Sequence, residues 1–149
     1  MNQRNIEELP GWARALLHEA PVARFGLLDD EGGPRVLPVT YALCDGALWT
    51  AVDRKRKRDP GREPARVRWL RRDPRAALTI DRYEHDWSRL AWVQVLGRVS
   101  VHEAAREPAA MAALAAKYPA YADDAPPGPL LRLDPRRAVW WSAAGGADG

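Results

Sequence analysis

Leu9, Trp12, Ala13, Leu16, Leu17 and Ala20 recur at helical spacing and predict an amphipathic helix that Pro21 ends. From Val22 the pattern changes to strands. Val22 to Leu28 reads as one, Asp29 to Gly33 as a turn, and Arg35 to Ala42 as a second strand, in which Pro38 marks an edge or an irregularity. Asp45-Gly46 is a hairpin turn and Ala47 to Val52 the returning strand. A basic stretch follows, then a short helix over Ala65 to Arg72, closed by Asp73-Pro74, and a strand over Ala76 to Asp81. The clearest strand runs from Trp92 to Val101. Val93, Val95, Val99 and Val101 share one parity and predict a core face, with Trp92, Gln94, Leu96, Arg98 and Ser100 on the other. Gly97 interrupts the valines and marks a bulge or a close backbone approach. Met111, Leu114, Ala115 and Tyr118 make a second helical stripe, with Pro108 in its first turn and Pro119 as its terminator. Ala120 to Pro129 reads as irregular, and Leu131 to Leu133 and Ala138 to Trp141 as the closing strand or strands.

Consecutive hairpins dominate this order. A doubly wound sheet needs a crossover helix after nearly every strand, so the pattern predicts a mainly β domain: about six antiparallel strands closed into a barrel, with peripheral helices. The expected organisation is a single domain over residues 1–149, with 143–149 a disordered tail. A chain of 149 residues buries enough surface to need no disulfide, and its one cysteine, Cys44, sits in an apolar run as a small hydrophobe. The opening residues lack the apolar core of a signal peptide and no stretch is long and apolar enough to span a membrane, so a cytoplasmic location is expected.

Charge changes the picture in one place. Between Asp53 and Arg75 there are eleven basic and four acidic residues, while the rest of the chain is net negative. Such concentration points to a local anion site rather than a nucleic-acid surface. The run Arg54-Lys55-Arg56-Lys57-Arg58 follows a strand end, where it either holds a phosphate or forms a solvated loop; Thr50 precedes it and offers a hydroxyl to the same anion. The three histidines, His18, His85 and His102, have no metal-ligand spacing, and His102 reads as a surface residue. Most of the seven tryptophans read as core or subunit interface. The turn from Asp81 to Trp87 holds Tyr83 and His85, proton donors if it closes over a site and plain hairpin residues otherwise. No nucleophile–base pair identifies a catalytic side chain.

Several of these segments together, over about residues 8 to 142, carry a resemblance. They are Ala23-Arg24-Phe25-Gly26-Leu27-Leu28, Arg35 to Tyr41, Leu48 to Asp53 with the basic run, Val67-Arg68-Trp69-Leu70, Asp73 to Leu78, Asp86-Trp87 and Trp92 to Val99. In this order the chain resembles the flavin-reductase-like split β-barrel family that includes pyridoxamine 5'-phosphate oxidase, and within it the small actinobacterial deazaflavin-dependent oxidoreductases. The resemblance implies a homodimer with cofactor sites at the subunit interface, a small organic substrate, and hydride transfer by coenzyme F420, with flavin mononucleotide (FMN) or a heme-type cofactor without turnover as the alternative. It implies that Lys57 and Thr50, then Lys55, hold the phosphate. It implies that Pro38, Val39 and Thr40 lie beside the ring, and that Trp92 and Gln94 reach the cofactor of the other subunit. Gln94 departs from pyridoxine-phosphate oxidases, which carry a basic residue near that position.

Overall fold

The computed structural model describes residues 5–52 and 63–145. Among these residues seven antiparallel strands form one sheet: β1 (Ala23–Leu28), β2 (Pro34–Val39), β3 (Ala42–Cys44), β4 (Ala47–Ala51), β5 (Arg75–Arg82), β6 (Ala91–His102) and β7 (Leu130–Ser142). Their spatial order is β2-β1-β5-β6-β7-β4-β3. The two edge strands, β2 and β3, are therefore consecutive in the chain, with only Thr40 and Tyr41 between them. An open flat sheet cannot have its edges that close, so the sheet must roll up on itself, and the seam falls at residues 39–42.

The strands number seven because the single strand expected over Arg35 to Ala42 divides there. Its first part pairs with β1 as an edge, which tolerates Pro38, and its second pairs with β4. The β3–β4 turn is the expected Asp45-Gly46, both residues at positive φ, 53° and 72°. β7 is one strand rather than two. It pairs with β6 from Ala91↔Ser142 to His102↔Leu130, with a register shift at Leu96/Gly97 that leaves Arg136 unpaired. Gly97 serves both expected purposes: it flanks the bulge, and a Cβ there would collide with the Asp134 carbonyl oxygen.

The helices are α1 (Gly11–Glu19), α2 (Ala65–Arg72), α3 (Pro108–Lys117) and α4 (Pro119–Asp123). Pro119 thus opens a further short helix where an irregular crossing was expected, as proline fits a first turn. Val93, Val95 and Val99 are buried facing inward with Phe25, Leu27, Leu78, Ile80, Leu131 and Leu133; Val101 is half-buried at the rim. α1 and α2 both contact β6 and add Ala13, Leu16, Leu17, Val67 and Leu70 to this core. A second cluster lies outside the barrel, where Ala42, Ala47, Trp49 and Ala51 meet Ala110 and Leu114 of α3. β4 is consequently buried on both faces.

Within the expected tail, Ala143 N–H donates to the Leu90 carbonyl at 2.9 Å and Gly145 N–H to Ser142 Oγ at 3.2 Å; residues 146–149 lie outside the described ones. Among the described residues no helix is long and apolar enough to cross a membrane.

Candidate functional site

The seam of the barrel holds a cavity of about 190 Å³ lined by Val22, Pro38, Val39, Thr40, Thr50, Ala51 and Arg66. Three elements build it. The end of β2 and the step to β3 supply 38–40, the end of β4 supplies Thr50 and Ala51, and α2 supplies Arg66. Thr50 is 3% exposed. Arg66 is fixed by its neighbour: Val67 and Leu70 pin α2 to the core, and the residue before Val67 then borders the seam. The Arg66 Nε is buried and has no hydrogen-bond partner among the described residues. A buried N–H of a charged group left unpaired costs about 1–3 kcal/mol or more, so an acceptor brought to this atom gains that much back. An anion, phosphate above all, matches a guanidinium beside a strand-end hydroxyl.

The wall opposite Arg66 is braced from α3 and α4. Thr40 Oγ1 and the Tyr121 hydroxyl share a hydrogen bond of 2.7 Å. The Tyr118 hydroxyl donates toward the Pro21 carbonyl at 2.8 Å, with the Tyr41 carbonyl at 3.1 Å, and accepts the Tyr41 N–H at 3.0 Å. Tyr41 is fully buried and its hydroxyl donates to the Leu17 carbonyl at 2.6 Å; burial and the neighbouring Tyr118 push its pKa upward. Two tyrosines three residues apart thus hold the step between β2 and β3, at Thr40 and Tyr41, and tie it to the chain at Pro21. The Thr40 hydroxyl is already engaged by Tyr121.

Four of the residues expected to bind a cofactor, Pro38, Val39, Thr40 and Thr50, come together in this cavity. Lys55 and Lys57 lie outside the described residues. Trp92 and Gln94 are not in its lining. They are half-buried on the outer face of the sheet, where Gln94 Nε2 donates to Thr79 Oγ1 at 3.1 Å and Trp92 pairs with Trp141. The register carries that outer face sideways from Pro38 through Arg24 and Thr79 to Gln94. Tyr83 and His85 are exposed and do not line the cavity. Arg66 was missed as an individual residue. Its sequence signal was present but diluted, one arginine among eleven basic residues in the segment.

The profile of the pyridoxamine 5'-phosphate oxidase family matches residues 9–145, and the chain belongs to that family. No curated protein matches it significantly. Among solved structures it is similar to a heme binding protein from Mycobacterium smegmatis, with 26% identity and a TM-score of 0.69, over 95% of this chain and 57% of that one. It is also similar to a FAD-binding protein from Mesorhizobium loti, with 18% identity and a TM-score of 0.66, over 89% of this chain and 94% of that one. A heme storage protein from Vibrio cholerae shows 12% identity and a TM-score of 0.66, over 87% and 90% of the two chains. The likeness to the last two is one of fold.

These findings correct one expectation. The chain is not assigned to the F420-dependent oxidoreductases: the matching profile is the pyridoxamine 5'-phosphate oxidase one, and the cofactors named for these similar structures are heme and FAD. The F420 reading rested on resemblance in segments that build the fold, and a shared fold does not distinguish one cofactor from another.

Proposed function

We propose that this chain is a flavin-binding redox protein of the pyridoxamine 5'-phosphate oxidase type that takes FMN. The observation that carries the reading is the buried, unpartnered Nε of Arg66 at a cavity bordered by Thr50 and the Pro38–Thr40 segment. In this reading Arg66 and Thr50 hold the phosphate, Lys55 and Lys57 add charge from the basic run, and the Pro38–Thr40 backbone braces the ring edge. A bound flavin supplies the electron transfer; the chain supplies placement and charge.

The cavity, about 190 Å³, is smaller than the roughly 300–1,000 Å³ of closed ligand pockets. It suits the phosphate end of a nucleotide and leaves the ring on the outer face, toward Trp92 and Gln94. That face carries Val36, 68% exposed, and Trp141, 39% exposed, with Leu96 half-buried between arginines. A second copy of the chain covers the part of it around Val36, Leu96 and Trp141 in this proposal, leaving the Ser100 end of β6 open, and completes the site.

Heme is the competing ligand. None of the cavity-lining residues is a histidine, cysteine, methionine or tyrosine, so the cavity offers no axial ligand to iron. Titrating the protein separately with FMN and with hemin tests the choice. Saturable quenching of tryptophan fluorescence by FMN is expected, with no shift of the hemin Soret band. A hemin complex with a shifted Soret band and no FMN binding would overturn the reading.

A further inference from the structure

We propose a second, separate site in which Ser100 is an activated nucleophile toward small carboxylic esters, with His102 as its base and Glu107 as the group that orients the base. Ser100 and His102 are two apart on β6 and so share its outer face. Ser100 Oγ lies 2.7 Å from His102 Nε2, and His102 Nδ1 lies 3.1 Å from Glu107 Oε1. A carboxylate only accepts, so Nδ1 carries the ring proton and Nε2 presents its lone pair to the serine hydroxyl. This is the order of roles that a serine nucleophile requires: base on the hydroxyl, carboxylate on the far ring nitrogen.

Three further observations support it. Glu107 is the N-cap residue of α3, yet its side chain makes no capping bond; the carboxylate turns to His102 instead. The ring of His102 packs against Trp49, with centroids 5.2 Å apart, which limits its rotation while Ser100 stays exposed. Arg132 stands directly across the ladder from Ser100, and its guanidinium lies 5.4 Å from the centroid of the same Trp49 ring that His102 packs against, so a cation shares this patch. Its Nε is held by Asp134 Oδ1 at 2.9 Å. Since Ser100 lies on an open surface, the matching substrates are short acyl esters rather than long-chain ones.

In the reaction Ser100 Oγ bonds to the acyl carbon as its proton passes to His102 Nε2. The ester C–O bond breaks, the leaving alkoxide takes that proton, and acyl-Ser100 remains. Water then attacks the acyl carbon with His102 again as base, releasing the carboxylic acid and restoring the serine.

A fluorophosphonate probe tests this on the intact protein, because attack by Ser100 expels fluoride and leaves a stable phosphonyl adduct. Peptide mapping is expected to place one adduct on Ser100 and none on Ser88 or Ser142. Ser100→Ala abolishes it, and His102→Gln slows it about a hundredfold. Glu107→Gln slows it by a smaller factor and serves as the deciding variant if circular dichroism shows His102→Gln unfolded. Turnover of p-nitrophenyl acetate follows the same ranking. No adduct on Ser100, or an adduct formed equally fast without the His102 imidazole or the Glu107 carboxylate, would overturn the proposal. FMN affinity is independent of these outcomes.

Discussion

At the residue scale, Gly97 was legible as a special position because a glycine inside a strong valine strand demands a reason. The structure gives it: the Asp134 carbonyl occupies the place of a Cβ. Gly97→Ala is expected to lower stability by about 1–3 kcal/mol, the usual cost of overpacking, read from the urea midpoint. Lys117 was not legible. Its Nζ lies 3.7 Å from the centroid of the Tyr41 ring, and burial pulls its pKa down to about 8. The π face of Tyr41 offsets only part of that cost. An unfolded lysine titrates near ~10.4, so between about pH 8 and about pH 10 the unfolded chain binds the extra proton. Stability from this group therefore rises with pH across that window and is flat below it. Tyr41 and Tyr118, both pushed upward by burial, titrate above it. Urea midpoints at about pH 7.5 and about pH 9.5 are expected to show a rise in the parent that Lys117→Met loses. An equal rise in both proteins would assign the slope to another group.

Among the elements, the strands were readable wherever one face is buried and the other exposed, as β6 shows with its valines. Reading failed where tertiary context decided. The break at Thr40–Tyr41 leaves no local signal, because both residues suit a strand; only closure of the barrel ends β2 there. α4 was missed because it is a five-residue helix starting at a proline that also ends α3. Its Tyr121 matters to the site out of proportion to its length. Tyr121→Phe frees Thr40 Oγ1, the loss of one hydrogen bond worth about 1 kcal/mol. The expected outcome is FMN affinity reduced several-fold with the melting temperature lowered by only about 2–4 °C. Tyr118→Phe, which removes the hydroxyl shared by Pro21 and Tyr41, is expected to lower the melting temperature more. The reverse ranking would show that the cavity wall does not depend on these two hydroxyls.

For the whole molecule, alternation and hairpin order identified a mainly β barrel, while the seam emerges only from the sheet order. The cavity was half legible. Pro38 to Thr40 and Thr50 were found, but Arg66 sits in a helix whose charges looked alike in sequence. The open cavity and the apolar band of the outer face predict that the protein sediments as two chains at micromolar concentration, and a single-chain species would leave the ring side of the proposed site uncovered. In the proposed site the Arg66 guanidinium takes the phosphate of FMN. Replacing it tests affinity and stability at once, by FMN titration and by thermal melting of the flavin-free protein, for the parent and Arg66→Met. The variant is expected to lose about tenfold or more in FMN affinity, yet to melt no lower than the parent without flavin, because the buried unpaired Nε is gone. Unchanged FMN affinity in Arg66→Met would contradict this role for Arg66.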